Sequence, residues 1–339
     1  MNTVDPASAF RGMRVTVMGL GLHGGGIASA RFFAKAGAHV TVTDLRGPEL
    51  LEPAIRQLQG FPIRFVLGSH KEEDFKAADI VIKNPAVRRD SPFLRLATRI
   101  ETDISIFLRF SKSPLIAVTG SKGKSTVASA IWYVLSKYEK KALLGGNITV
   151  SPLDFLDQTG PDVPVVLELS SWQLGDLHGL GILKPVVAVI TAIFPDHLNY
   201  YGSMEAYVAD KRVIYEGQDK DCYTVCSADQ AWGCSFAEET RARVLWYSQE
   251  ALAPLIEGVI PGGWLARDED FQAAEGHDKA PASTDAAGAG AGAGDDTCPE
   301  ALAGWGKFSL HGPKELLVPP SIPIPGLHQK ENLLAAAVA

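Results

Sequence analysis

Residues 118–126, Val118-Thr119-Gly120-Ser121-Lys122-Gly123-Lys124-Ser125-Thr126, lie between the apolar run Leu115-Ile116-Ala117-Val118 and a helix-like stretch from Val127 to Tyr138. A strand, a tight glycine loop and a Lys-Ser-Thr at a helix start point backbone amides and the positive end of a helix at one spot. That is where the phosphates of a nucleoside triphosphate sit. A common P-loop has four residues between its glycines. Here Ser121 and Lys122 alone separate Gly120 from Gly123, so the loop is a shortened one.

Three further residues could act beside it. Glu168 ends the apolar run Val163–Leu167 and opens Leu169-Ser170-Ser171-Trp172-Gln173-Leu174. A carboxylate at the C-terminal end of a buried parallel strand is where α/β sheets place ligands, and it suits Mg²⁺, which takes few protein oxygens plus substrate phosphates. The lesser alternative is a strand-end acid that caps the helix that follows. His197 repeats the arrangement at the end of Ile190-Thr191-Ala192-Ile193-Phe194-Pro195-Asp196, a place that favours a metal or substrate role over a structural one. Lys211, inside the helix-like Met204–Tyr215, reads from its pattern alone as a solvent-facing lysine.

A second glycine group, Gly19-Leu20-Gly21-Leu22-His23-Gly24, precedes a helix-like stretch, and Asp44 follows about 20 residues on. By itself this is a dinucleotide fingerprint, in which glycines admit a diphosphate and the acid accepts a ribose hydroxyl. With another phosphate loop downstream, a nucleotide-linked substrate plus ATP accounts for both loops, whereas NAD accounts for one. Glycines serving only helix-on-strand packing is the third possibility.

The elements that must position these groups alternate. Met13–Met18, His39–Thr43, Arg64–Leu67 and Asp79–Ile82 read as strands, with helices near Gly25–Ala36 and Glu49–Gln59. The expected class is α/β: a Rossmann-like parallel-sheet domain over residues 1–111, then a central P-loop-type α/β domain over 112–339. Thr102–Phe110 and the Ser-Lys-Ser-Pro after it read as the join. Lys141–Leu144, Val163–Leu167 and Pro185–Thr191 read as strands of the second unit. Residues 266–300, acidic and then alternating alanine and glycine, predict a flexible surface insertion. The chain ends in a helix-like sequence without a stop signal, which suggests a further domain beyond it.

At 339 residues, 46% of them hydrophobic, the chain can form two domains with real cores. A net charge of −7 argues against a general nucleic-acid or anionic-membrane binder. Cys222, Cys226, Cys234 and Cys298 have no metal-type spacing and fit reduced thiols. No leader pattern or spanning apolar run is present, so a soluble, cytoplasmic protein is expected; a monomer is the separate expectation for its assembly.

Taken together, the short loop Thr119–Thr126, the run Leu167–Leu174, Asp196-His197, Ala209-Asp210-Lys211 and Gly326-Leu327-His328-Gln329-Lys330-Glu331-Asn332 resemble the Mur ligases of peptidoglycan synthesis, in the family's order. Gly19–Leu22, Asp44-Leu45-Arg46 and Leu167–Leu174 most resemble the branch that adds D-glutamate. The resemblance implies three domains, of which this chain holds those for the uridine nucleotide and for ATP. It implies amide ligation: the carboxylate of UDP-N-acetylmuramoyl-L-alanine takes the γ-phosphoryl group of ATP, and D-glutamate attacks the acyl phosphate. ATP would be held by Gly120, Ser121, Lys122, Gly123, Lys124, Ser125, Thr126, Gln329 and Asn332, with Lys124 steadying the transferring phosphoryl group. Ser125 and Glu168 would hold one Mg²⁺ and His197 a second, oriented by Lys211, which matches a lysine carbamylated in this family. Leu22, His23, Asp44, Leu45 and Arg46 match uridine diphosphate positions, and Asn147 and Ser170 match positions near the sugar-peptide part.

Lys122, Gln329, Asn199 and His23 depart from the family's asparagine, asparagine, aspartate and small hydroxyl residue. The competing readings are a folylpolyglutamate-type ligase, an NAD-dependent oxidoreductase that leaves 115–211 unexplained, and a non-catalytic nucleotide binder. On the ligase reading, this chain alone is expected not to make the D-glutamyl product at a normal rate.

Overall fold

A computed structural model describes residues 6–22, 24–138, 141–148, 150–249, 262–267, 302–307, 315–318 and 327–339. The first part holds α1 (Pro6–Phe10), β1 (Arg14–Met18), α2 (Gly25–Lys35), β2 (His39–Asp44), α3 (Pro48–Arg56), β3 (Ile63–Leu67), α4 (Glu72–Lys76), β4 (Ile80–Lys83), β5 (Ile100–Glu101) and α5 (Asp103–Phe110). Its sheet runs β3-β2-β1-β4-β5 with every neighbour pair parallel. Val15, Val17, Val40, Val42, Ile80 and Ile82 bury one face of this sheet in a core with Phe33, Leu51 and Leu58.

The second part holds β6 (Leu115–Thr119), α6 (Lys124–Lys137), β7 (Leu143–Gly146), β8 (Val165–Glu168), α7 (Ser171–Asp176), β9 (Val187–Ile190), α8 (Leu198–Tyr201) and α9 (Met204–Glu216). It continues with β10 (Tyr223–Ser227), α10 (Ala231–Glu239), β11 (Arg243–Ser248), β12 (Gly262–Arg267), β13 (Leu302–Lys307), β14 (Glu315–Val318) and α11 (Leu327–Val338). The sheet order is β14-β13-β12-β11-β10-β9-β6-β8-β7. Pairing is parallel from β7 to β12 and antiparallel at β12–β13 and β13–β14. The antiparallel pairs are thus confined to one edge of an otherwise parallel sheet.

Both sheets reverse their winding beside the strand that precedes a glycine loop. The chain adds β2 and β3 on one side of β1 and then β4 on the other; likewise β7 and β8 lie on one side of β6 and β9 on the other. At such switch points the flanking connections diverge, and the crevice outside the carboxyl ends of the strands opens there. The sequence alone places neither crevice, because strand order is set by long-range pairing.

Thr102–Phe110, read as a join, is a capped helix. Thr102 Oγ1 accepts from the Ser105 amide at 3.0 Å, and Ser105 Oγ accepts from the Thr102 amide at 2.8 Å. Its Phe107 packs edge-on against Phe155 at 5.7 Å, so one apolar core joins the two sheets. The strand expected at Lys141–Leu144 lies two residues later. Lys141 stays exposed while Gly145 and Gly146 pair with Leu167 and Glu168, a close approach that lysine could not make. Most of the segment 266–300 lies outside the described residues; the strands flanking it, β12 and β13, are antiparallel neighbours with Arg267 opposite Leu302. Cys222, Cys226 and Cys234 are free thiols. Among the described residues no helix is long and apolar enough to cross a membrane.

Candidate active site

The phosphate loop is stapled to the segment after β9. Thr191 Oγ1 donates to the Lys122 carbonyl at 2.6 Å and lies 3.1 Å from the Thr119 carbonyl, while the Ser121 amide donates to the Ala192 carbonyl at 2.9 Å. Ser121 Oγ accepts from the Phe194 amide at 2.9 Å and lies 3.0 Å from the Tyr207 hydroxyl. Gly120 has φ +146°, and a Cβ there would strike Thr191 Oγ1; Gly123 has φ +87°, and the Asn332 side-chain amide fills the space a Cβ would need. Both glycines are thus required by close packing as well as by backbone conformation. Gly120→Ala is expected to cost about 2 kcal/mol of stability through strain and the displaced Thr191 staple. Urea denaturation checks this, and a loss below about 0.5 kcal/mol would show that the loop relaxes freely.

Lys124 Nζ donates to the Ser121 carbonyl at 2.9 Å. Burial pushes its pKa below the ordinary lysine value, partly opposed by Glu168 and Asp196. Lys122 and Ser125 are exposed and Thr126 is half-buried. Glu168 is buried: Oε1 accepts from Asn147 Nδ2 at 2.9 Å, and Oε2 has no hydrogen-bond partner. The capping role left open for Glu168 falls to Ser170, whose Oγ accepts from the Gln173 amide at 3.3 Å. A buried carboxylate oxygen without a donor is unfavourable by itself and suits a cation or a ligand donor.

His197 is the one non-glycine residue with positive φ, 52°, among the described residues. It precedes α8, its ring lies 4.8 Å from that of Trp172, and its Nε2 lies 3.5 Å from Asp196 Oδ2. Left-handed backbone costs a non-glycine residue about 1 kcal/mol, and the tilted Trp172 ring contact and the Asp196 contacts hold it in place.

Lys211 overturns the solvent-facing reading, since it is only 1% exposed. It shares the inner stripe of α9 with Tyr207 and Ile214, and that helix packs on both α7 and β6. Its Nζ donates to the Gly120 carbonyl at 2.7 Å, lies 3.5 Å from Thr119 Oγ1, and sits 4.6 Å from the Tyr207 ring centroid. Burial, then the nearby Lys124, pull its pKa down to about 7 against the opposing pull of Asp196 and Asp210. The i, i+4 spacing from Tyr207 is the signal that could have located it on the apolar face.

Gln329 and Asn332 lie on α11. Asn332 sits against Gly123, and Gln329 Oε1 is buried without a partner while its Nε2 lies 3.1 Å from His328 Nε2. Lys124, Lys211 and Asn332 therefore converge on the loop, flanked by Glu168 and Asn147 at the end of β8 and by Asp196-His197 beyond β9. No cluster of three or more His, Cys, Asp and Glu side chains able to hold a metal by themselves occurs among the described residues.

Leu22, Asp44, Leu45 and Arg46 lie apart from this group, at the carboxyl edge of the first sheet. Asp44 accepts from the Gly21 amide at 3.3 Å and from Arg46 Nε at 3.1 Å and Nη2 at 2.9 Å. Burial pushes its pKa up, but these bonds outweigh it and the net shift is downward. Leu22 and Leu45 are 48% and 67% exposed, an apolar rim on a polar site. His23 lies outside the described residues. Sequence reading missed His70, whose Nδ1 is 2.7 Å from Thr43 Oγ1 and whose pKa burial lowers, because no motif marks it.

Two α/β units, each with a glycine loop at its switch point and the second with a shortened P-loop, define an α/β protein of the P-loop type. The Mur ligase middle domain matches residues 118–282, and the MurD-like N-terminal domain of Mur ligases matches residues 13–106. The UDP-N-acetylmuramoylalanine–D-glutamate ligase of Treponema pallidum (strain Nichols) is 42% identical over 353 residues, covering 97% of this chain and 60% of that ligase. The ligase of the same name from Borreliella afzelii (strain PKo) is 45% identical over 242 residues, covering 70% of this chain and 52% of that one. In fold, the chain is similar to the crystal structure of UDP-N-acetylmuramate:L-alanyl-gamma-D-glutamyl-meso-diaminopimelate ligase from Neisseria meningitides. That likeness has a TM-score of 0.56 at 15% identity, over 96% of this chain and 92% of that one. The chain belongs to the Mur ligase family. It spans between half and three fifths of the length of these curated relatives.

Proposed function

We propose that the protein is an ATP-dependent, ADP-forming ligase that joins D-glutamate to UDP-N-acetylmuramoyl-L-alanine in the cytoplasmic assembly of peptidoglycan precursors. The observation that carries this is the buried Lys211 bonded to the Gly120 carbonyl, in a loop flanked by a buried glutamate with one unpaired oxygen. Residues 1–111 take the uridine nucleotide and 112–339 take ATP. Amides of Gly120–Thr126 and the Lys124 ammonium bind the phosphates, and Asn332 and Gln329 meet the adenine.

A substrate carboxylate oxygen attacks the γ-phosphorus, the bond to the β-bridging oxygen breaks, and ADP leaves with that electron pair. The D-glutamate amine then attacks the acyl carbon, inorganic phosphate departs, and the amine gives up a proton. Glu168 Oε2, Ser125, His197 and a carbamylated Lys211 fit Mg²⁺, an oxygen-seeking ion that needs few protein ligands when phosphates supply the rest. When bound, Mg²⁺ neutralises charge on the phosphates. Lys124 holds charge at the transferring group, Asn147 orients Glu168, and Trp172 orients His197.

Both Asp44 oxygens accept hydrogen bonds within the chain, from the Gly21 amide and from Arg46. Isothermal titration with MgATP, UDP and NAD tests the reading: the first two should bind, and tight NAD binding without ATP binding overturns it. Arg46→Ala removes the two guanidinium bonds to Asp44 and a cation beside the first glycine loop. It should weaken UDP and UDP-N-acetylmuramoyl-L-alanine alike by about tenfold, on the scale of one charge-assisted contact. Unchanged UDP affinity would place the uridine nucleotide elsewhere.

A further inference from the structure

Between the two sheets lies a charge-balanced cluster that none of the roles above uses. Lys83, at the end of β4, is 3% exposed and donates to Asp176 Oδ2 at 2.6 Å, at the end of α7. Arg89, in the connection after β4, reaches Asp176 Oδ1 from Nε at 3.3 Å. It also grips Asp210 of α9 with both terminal nitrogens, Nη1 to Oδ1 at 3.3 Å and Nη2 to Oδ2. The Tyr201 hydroxyl donates to Asp210 Oδ2 at 2.8 Å. Gly175 makes room for the guanidinium, since a Cβ there would strike Arg89 and Asp210. Burial lowers Lys83 and raises Asp176 from their ordinary pKa values, so these groups are held out of water.

The cluster touches both sites through short covalent and packing steps. On one side, Asn84 opens the Arg89 connection, its amide donates to the Met18 carbonyl at 3.0 Å, and a side chain at Gly19 would run into it. The first glycine loop therefore rests on the segment that carries Arg89. On the other side, Asp210 directly precedes Lys211, which holds the Gly120 carbonyl of the phosphate loop. Buried ion pairs add little net stability, yet they fix the register of what they join. Lysine in place of Arg89 would keep only part of these contacts, because only a planar fork reaches two carboxylates at once.

We propose that Arg89 is a positioning residue that makes nucleotide binding at the two glycine loops interdependent, by tying the Asn84–Asp90 segment to α7 and α9. The proposal rests on the two-site reading above. In wild type, saturating Mg²⁺ and a non-hydrolysable ATP analogue should tighten UDP binding at least about fivefold, the low end of ordinary coupling between sites. Arg89→Met and Asp210→Asn should each reduce that factor to below twofold while each ligand alone keeps its affinity within about threefold. The double variant should be no worse than either single one, because the two groups act as one contact. Arg89→Lys should retain an intermediate factor and serves as the folded control if Arg89→Met melts early.

A merely structural role would weaken both ligands or neither and would leave the factor unchanged. Wild type that binds both nucleotides without coupling, or Arg89→Met and Asp210→Asn that keep it, overturns the proposal and leaves the ligase reading intact. Wild type that binds neither nucleotide overturns both.

Discussion

Lys124→Ala is expected to weaken ATP binding about 100-fold and to leave the melting temperature nearly unchanged. Hydrogen bonds from a charged donor contribute about 1.5–3 kcal/mol, and Lys124 is the loop cation held inward, on the Ser121 carbonyl, while Lys122 is exposed. The fold gains little from the same ammonium, because burial already disfavours its charged form. Calorimetry with MgATP and a thermal scan test the two halves separately. Affinity reduced less than threefold would mean that this lysine does not face the phosphates.

The second large effect is expected at Lys211. An ordinary lysine, with a pKa of about 10.4, has roughly one amine in 2,500 neutral at pH 7, and only the neutral amine can add CO₂. With its pKa pulled down to about 7, half of the Lys211 amines are neutral there. Addition forms an N–C bond and releases a proton, turning a cation into an anionic oxygen ligand. Protonation competes below the pKa, so the carbamate should grow from pH 6 to 8 and fade at lower pH. Lys211→Ala should lower phosphoryl transfer at least 1,000-fold, on the order of 4 kcal/mol, while MgATP still binds. Acetate or formate filling the vacated space should restore part of the rate. ¹³C NMR under ¹³CO₂ and ADP release with added carboxylates read these outcomes. No carbamate signal and no rescue would leave Lys211 as a buried donor to the Gly120 carbonyl.

Local pattern made much of the fold legible. β1 to β4 and both glycine loops were readable because short β-branched runs alternate with helix-like stretches, and β1 and β6 lead straight into glycines. β10 to β14 were not, since no glycine loop or motif marks them and their places depend on neighbours distant in sequence. At the site, Glu168 and His197 were visible as strand-end residues. Lys211 was misjudged on pattern because a lysine on an apolar stripe looks like an error until the partner surface is known. Thr191 and Tyr207 carry no motif and Trp172 is marked only as part of a run, and the folded contacts show that they brace the loop and His197. Arg89 is the extreme case, for in sequence it is one of two arginines in an exposed-looking turn, and its partners lie 87 and 121 residues away.

The antiparallel pairing of β12 with β13 has an evolutionary and practical corollary. Arg267 and Leu302 face each other across the ladder, so the polypeptide between them departs from and returns to one point on the rim of the sheet. The entropy needed to close such an excursion grows only with the logarithm of its length, about 0.6 kcal/mol per doubling. Lineages can lengthen, shorten or recompose that stretch with almost no thermodynamic penalty and without rethreading any strand. The same rim is a natural place to splice a reporter domain, far along the sheet from the phosphate loop.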